Sequence, residues 1–265
     1  MSDQPTTSAA SAVSAPVIAR GVEAGRGASW WSEAWRLFVP SVGPWLLIVV
    51  ILIVLQICLQ FIPVVGHLAN SVLFPVLVGG LMLGCRAVDR GEPLSVNHLF
   101  AGFSAHAGPL LVVGLLYTAL LLACALIVAG ILFVAFGASM VAQLFALQNP
   151  ASMGSVLGKM LYAVMLGALL FLALSLPLIM AVWFAPALVV LRGAEPWTAM
   201  KLSFSGCLKN VVPFLVYGLI AILLAIVASV PVMLGWFVLL PVAIASIYTS
   251  YCDIFEDGSD SGSVS

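Results

Sequence analysis

The chain has 265 residues, of which 63% are hydrophobic and only 7% are charged, whereas soluble globular domains average about 45–50% and about 25%. A soluble fold of this size cannot bury so much apolar surface, and the formal net charge of −1 offers no basic footprint for nucleic acid. The composition therefore predicts an all-α protein that crosses a membrane several times, and it excludes soluble enzymes and DNA-binding proteins.

Both ends of the chain differ from the apolar region between them. Residues 1–28 are rich in Ser, Ala, Thr and Gly and contain no apolar stretch long enough for a signal peptide or a span. Residues 253–265 combine acidic side chains with a Ser- and Gly-rich run. Low hydrophobicity is typical of disordered segments. The sequence thus predicts a transmembrane domain over residues 29–252 with a disordered tail on either side.

Between the tails, the apolar runs are long enough for six membrane-spanning helices. The predicted spans are residues 44–62, 68–86, 109–135, 160–190, 212–230 and 232–251. The first two are joined by residues 63–67 and the last two by a turn near Pro231, and both connections are short and apolar. We therefore expect tight hairpins at one membrane face, where only the connection at residues 137–158 is longer.

Basic residues are distributed unequally between the two membrane faces. Eight of the nine lie on the side of the N-terminus and of the second and fourth loops: Arg20, Arg26, Arg36, Arg86, Arg90, Arg192, Lys201 and Lys209. Lys159 alone lies on the opposite side. Because cytoplasmic loops retain Lys and Arg, we expect both termini in the cytoplasm and the protein in the bacterial inner membrane.

Three amphipathic segments on the cytoplasmic side share one layout. Residues 30–38, 93–103 and 196–204 each precede a proline that opens a span, namely Pro44, Pro109 and Pro213. The turn at residues 90–93 also matches residues 192–196 with one insertion. The pattern predicts three pseudo-repeats, each an interfacial helix followed by a helical hairpin.

The amphipathic segments suit the headgroup boundary, because aromatic and aliphatic side chains alternate with charged ones. We expect a collar that engages lipid headgroups or a partner, formed by Trp31, Arg36, Arg86, Arg90, Glu92, Arg192, Glu195, Trp197, Lys201 and Lys209. In this interpretation Glu92 and Glu195 cap the following short helices and pair with Arg90 and Arg192.

Several motifs resemble those of a known group of proteins. They are RAVDRGEP at residues 86–93, HLFAGF at 98–103, WFAPAL at 183–188, PFLVYG at 213–218 and the ending at residues 245–255. Over about residues 30–255 the chain resembles a family of uncharacterised proteobacterial multi-pass inner-membrane proteins. The resemblance implies a location in the inner membrane and assigns neither an activity nor catalytic residues.

Two features of the spans concern helix packing. Gly80 and Gly84 form a G-x-x-x-G motif, which allows close helix approach within the chain or between two copies. Pro177 and Pro186 lie in the fourth span and predict kinks there.

Few polar groups in the spans could support chemistry. Gln56 and Gln60 share one face of the first span and either hydrogen-bond a neighbouring helix or line an uncharged pathway. Ionisable residues are absent from the middle of the predicted spans, which argues against a proton- or sodium-coupled carrier. The histidines and cysteines lack the spacing of a metal site or a nucleophile–base pair, so we predict no metal, cofactor or catalytic residue.

These observations favour a non-enzymatic integral membrane protein that acts as a scaffold or accessory subunit. Its expected partners are the bilayer, including anionic lipids, and a membrane protein or a second copy of the chain. The alternative is a small permease or channel with an uncharged pathway through Gln56 and Gln60. An enzyme acting on lipid ranks third, because only Glu33, Glu92, Glu195 and the histidines could supply an acid or a base at the interface.

Overall fold

The computed structural model describes residues 17–62, 65–146 and 153–256. The outer parts of both predicted tails and the segment around Asn149 lie outside the described residues. Within them, all regular structure is helical. The helices are α1 (Arg26–Phe38), α2 (Val42–Gln60), α3 (Val65–Asp89), α4 (Asn97–Ala105), α5 (Ala107–Ala146), α6 (Met153–Trp183), α7 (Ala185–Arg192), α8 (Pro196–Lys209), α9 (Val211–Ser229) and α10 (Trp236–Phe255), with a 3-10 turn at Val39–Ser41.

The six predicted spans are confirmed, because α2, α3, α5, α6, α9 and α10 lie in the six segments that are long and apolar enough to cross a membrane. The turn near Pro231 is confirmed as well, since α9 ends at Ser229 and α10 begins at Trp236. The predicted connection at residues 137–158 is wrong for most of its length, because α5 continues to Ala146 and α6 starts at Met153. The sequence there keeps helix-forming residues up to the Asn149–Pro150 pair, which explains the longer helices.

The fourth predicted span is divided into α6 and α7. α6 continues through Pro177, whereas Pro186 lies in the first turn of α7, so the kink predicted at Pro186 takes the form of a break between two helices. Ser203 of α8 occupies this break: its hydroxyl donates to the Met180 carbonyl oxygen at 2.7 Å and accepts from the Phe184 N–H at 2.9 Å. The interrupted backbone is thus satisfied by a buried side chain, as an apolar environment requires.

The packed core lies at one end of the bundle. Buried residues occupy the first half of α2, the second half of α3 and the second half of α10. All of α7 except its last two residues is also buried. The opposite halves of the helices are mostly exposed within this chain. The short helices therefore fill the space between the spans at a single end.

The short helices α1, α4 and α8 pack in a regular order. α4 packs mainly against α3, and α8 packs mainly against α6 and α7. α1 lies before the first described span, and it packs against the last one, α10, and against α9. α4 and α8 thus contact the span that precedes them, whereas α1 contacts the last span. This order fits three repeated units, but the structural equivalence of the units stays a prediction.

The G-x-x-x-G motif of α3 forms the contact with α4. A methyl group placed on Gly80 would lie 2.4 Å from the His98 carbonyl oxygen, and one on Gly102 of α4 would lie 2.2 Å from the Val76 carbonyl oxygen. Such distances leave no room for a side chain. The intramolecular interpretation of the motif is therefore confirmed.

We expect Gly80→Ala to lower the thermal stability of the detergent-solubilised protein, because the added methyl group must push α4 away from α3. Overpacking of this kind costs about 1–3 kcal/mol. Gly130→Ala in α5 is the matched control, since no atom lies within 4 Å of the added methyl group. Equal melting temperatures for the two variants would contradict the proposed backbone contact.

Candidate functional site

Six charged residues at the packed end form two groups near the end of α10. The first contains Arg26, Glu33 and Asp253, and the second contains Arg86, Arg192 and Glu256. We call these six residues the terminal cluster. It brings the beginning and the end of the described chain into contact.

In the first group, Asp253 connects α10 to α1. Its Oδ2 atom accepts hydrogen bonds from Arg26 Nε at 2.6 Å and from Trp30 Nε1 at 2.9 Å. Arg26 also pairs with Glu33 at 2.9 Å. The Thr249 hydroxyl of α10 donates to the Trp30 carbonyl oxygen at 3.1 Å. α1 is thus held on α10 by groups that span more than one turn of each helix.

The boundary predicted at residue 253 is wrong, because α10 continues to Phe255. Ile254 and Phe255 are buried, and they extend the apolar face of the helix beyond the acidic side chain. The charge of Asp253 therefore does not mark the end of the folded domain. It marks a contact between the two ends of the chain.

Residues 17–24, which we call the N-terminal strap, also contact the end of α10. The Arg20 N–H donates to the Ile254 carbonyl oxygen at 3.0 Å. The Asn210 side chain accepts from the Val22 N–H at 2.7 Å and donates to the Arg20 carbonyl oxygen at 2.8 Å. Asn210 is fully buried.

The disorder predicted for residues 1–28 is therefore wrong for their described part. The strap is held by backbone hydrogen bonds and by the buried Ala19, with Val17 and Val22 packed against the core. The composition of residues 1–28 as a whole does not indicate these contacts. Helix α1 also begins at Arg26, before the predicted boundary. Lys209, a predicted collar residue, donates to the Ala19 carbonyl oxygen at 2.9 Å and so holds the strap.

In the second group, α3, α7 and α10 meet. Arg86 forms a direct hydrogen-bonded ion pair with Glu256, and Arg192 lies 3.9 Å from the same carboxylate oxygen. Arg86 also donates to the Leu191 carbonyl oxygen at 3.4 Å in the last turn of α7. The charge of an arginine is favourable there, because the carbonyl end of a helix carries partial negative charge.

The predicted collar divides into paired and exposed residues. Trp31 is 7% exposed and stacks on Tyr217 with ring centroids 4.8 Å apart, so its side chain faces the protein. Arg86, Arg192 and Lys209 contact protein groups as described. The remaining candidates, Arg36, Arg90, Glu92, Glu195, Trp197 and Lys201, are exposed.

The predicted roles of Glu92 and Glu195 are wrong. Within the described chain, neither forms an ion pair with Arg90 or Arg192, and the Glu195 side chain makes no capping hydrogen bond. The two turns instead end the preceding helices, because Gly91 and Gly193 have positive φ angles of 81° and 65°. Glycine adopts this conformation without strain, as helix C-terminal turns require.

Gln56 and Gln60 lie on the exposed surface of α2. The buried residues of this helix are Trp45, Ile48 and Val49, all in its first half. The predicted pathway is therefore wrong for the single chain, since neither amide faces its interior. No group of three potential metal ligands is found among the described residues.

The sequence interpretation did not single out Asp253, Glu256 or Asn210. It placed Trp30 at headgroup depth as part of the amphipathic segment at residues 30–38, whereas Trp30 is fully buried. A usable signal was the opposite charge of the two chain ends, with Arg20 and Arg26 before the first span and Asp253 and Glu256 at the end of the last one. Both sets were assigned to the same membrane side, and ion pairs between them could have been expected.

We expect Asp253→Asn to lower thermal stability in detergent, because Arg26 loses its charged partner at a partly buried position. Removal of one member of such a pair costs about 1–3 kcal/mol. Glu195→Gln is the matched control, since Glu195 is exposed and makes no ion pair in the described structure. An equally large decrease for the control variant would contradict the role of Asp253.

Comparisons with known proteins place the chain among membrane proteins. No protein-family profile matches it, and no solved structure matches it. The chain is similar to a protein of Burkholderia thailandensis named as a probable inner membrane protein, with 28% identity over 220 residues, 78% of this chain and 76% of the relative. The resemblance expected from the motifs is confirmed, and the chain is an integral inner-membrane protein with six membrane-spanning helices.

Proposed function

We propose that this protein is a non-enzymatic scaffold or accessory subunit whose packed end engages anionic lipid headgroups on the cytoplasmic side of the membrane. The main support for this proposal is a set of exposed side chains that do not belong to the terminal cluster. We call Trp35, Arg36, Arg90, Trp197 and Lys201 the exposed collar. Its three basic residues form no ion pair in the described structure.

The chemistry of the exposed collar suits a headgroup layer. Trp35 and Trp197 are 49% and 53% exposed, and indole rings favour the membrane–water interface. Lys201 Nζ lies 5.3 Å from the centre of the Trp197 ring, which holds a positive charge beside an aromatic face. Basic residues near an anionic membrane surface each contribute about 1 kcal/mol of attraction.

Support for a scaffold comes from the contacts that fix this end. Backbone hydrogen bonds of the strap, the ion pairs of Asp253 and the close packing of α3 with α4 all lie here. Four of the five collar residues lie on α1 or α8, which are part of this packed end. The exposed collar is thus presented on a fixed surface.

Support for cytoplasmic termini comes from the basic residues and from the strap. Eight of the nine Lys and Arg residues were assigned to this side, and positively charged segments are retained in the cytoplasm. The strap contacts the last turn of α10. Both ends of the transmembrane domain therefore share one membrane face.

We expect reporter enzymes that are active only after export to be silent when fused after Ser265 and active when inserted at Asn149. The reason is that the basic residues keep the packed end in the cytoplasm. Measurement of reporter activity, normalised to fusion-protein abundance, tests the topology. An active reporter at Ser265 would show that the orientation is reversed.

We expect the combined change Arg36→Gln and Lys201→Gln to weaken the preference for anionic lipid. Loss of about 1 kcal/mol for each charge corresponds to about five-fold per residue. The preference is measured as quenching of Trp197 fluorescence by headgroup-labelled phosphatidylglycerol relative to phosphatidylcholine. Lys159→Gln, at the opposite face, is the control.

A control variant that weakens the preference as much as the double variant would argue against a collar at the packed end. Unchanged quenching ratios in the double variant would lead to the same conclusion. Both measurements compare two lipids with the same acyl chains. A change in insertion depth therefore alters the quenching by both lipids and is not mistaken for a change in headgroup preference.

A further inference from the structure

The second group of the terminal cluster has more hydrogen-bond donors than acceptors. Two guanidinium groups, from Arg86 and Arg192, lie around a single oxygen of Glu256. Each guanidinium has five N–H donors, and a carboxylate offers only two oxygens. Arg192 lies 3.9 Å from that oxygen, which is beyond hydrogen-bond distance.

A buried hydroxyl adds to this excess of donors. Tyr251 of α10 is 0% exposed, and its hydroxyl lacks a well-formed hydrogen-bond partner among the described residues although Arg192 is close. A buried polar group without a partner costs free energy. Two guanidinium groups, from α3 and α7, thus surround one carboxylate oxygen, and an unpartnered hydroxyl of α10 lies close to Arg192.

Glu256 lies outside the regular helix, unlike Ile254 and Phe255. It follows the last residue of α10 and has extended backbone angles, with φ −101° and ψ 132°. Its N–H donates to the Cys252 carbonyl oxygen at 3.0 Å. The side chain can therefore leave the arginines without unwinding the helix or moving the buried Phe255.

We propose that Arg86, Arg192 and Tyr251 form a binding site for a phosphate group, which the Glu256 carboxylate occupies as an internal competitor. A phosphate has more acceptor oxygens than a carboxylate and matches the planar fork of arginine. Asp89, the other acidic side chain nearby, accepts a hydrogen bond from the Tyr248 hydroxyl at 3.0 Å.

The position of the site favours a lipid phosphate over a free one. Arg86 lies in the last turn of α3 and Arg192 is the last residue of α7, where helices leave the hydrocarbon layer. The inference rests on the proposed function in placing this end at headgroup level. The phosphate site and the exposed collar share no residue. An experiment can therefore contradict one of the two proposals without contradicting the other.

The test measures the affinity of the purified full chain in neutral detergent for short-chain phosphatidylglycerol, by thermal-shift titration. We expect Glu256→Gln to lower the apparent Kd by about ten-fold, because the competing charge is removed. In that background Arg192→Gln should raise the apparent Kd by about ten-fold, and Tyr251→Phe should raise it by a smaller factor. Lys159→Gln, at the opposite face and outside both sites, is the control and should leave the apparent Kd unchanged.

Parallel titrations with phosphatidylcholine and with inorganic phosphate identify the ligand. A preference for phosphatidylglycerol over both supports a lipid phosphate, whereas equal affinity for inorganic phosphate assigns the site to a soluble phosphate. An unchanged apparent Kd in Glu256→Gln, or equal effects of Arg192→Gln and Lys159→Gln, would overturn the proposal. An unchanged quenching ratio in the collar double variant, with this site intact, would instead count against the proposed function alone.

Discussion

The contact of Asp253 with Arg26 and Trp30 is the interaction on which the packed end depends. In a bilayer, apolar side chains gain little by contacting each other, because lipid tails are equally apolar. Helices are therefore held by polar contacts and by close packing of small residues. Asp253 supplies the polar contact between the first and the last helix, and without it α1 would have only apolar contacts and one hydroxyl bond to keep it on α10.

Because apolar contacts between helices gain little in lipid, the packed core lies at the end of the bundle where polar contacts and small residues are found. Small residues such as Gly80 and Gly102 allow α4 to approach α3 closely, and Ser203 of α8 satisfies the backbone where α6 ends. These contacts need short helices, which lie at the packed end. Beyond the short helices, most of the span surface is apolar and exposed within this chain, and polar contacts such as the 3.0 Å hydrogen bond from the Thr118 hydroxyl to the Ser71 hydroxyl join individual spans.

The sequence was sufficient for the number of spans, because about 20 consecutive apolar residues are a requirement of the bilayer itself. It was also sufficient for the α3 contact through Gly80. The sequence did not predict the contacts of the N-terminal strap, because Val22 and Asn210 are 188 residues apart and neither residue type indicates such a contact. It failed for Gln56 because helical periodicity identifies a face but not what the face contacts.

The sequence is also insufficient to assign the roles of the individual basic residues. Arginine satisfies helix ends and also attracts lipid phosphates, so Arg86 and Arg36 look alike in the sequence. The fold separates them, because Arg86 meets Glu256 and Leu191, whereas Arg36 remains exposed. An exposed arginine is attracted by the average negative charge of the membrane surface, and salt screens this attraction. An arginine held between helices has a fixed direction, and it can therefore select a headgroup by geometry as well as by charge.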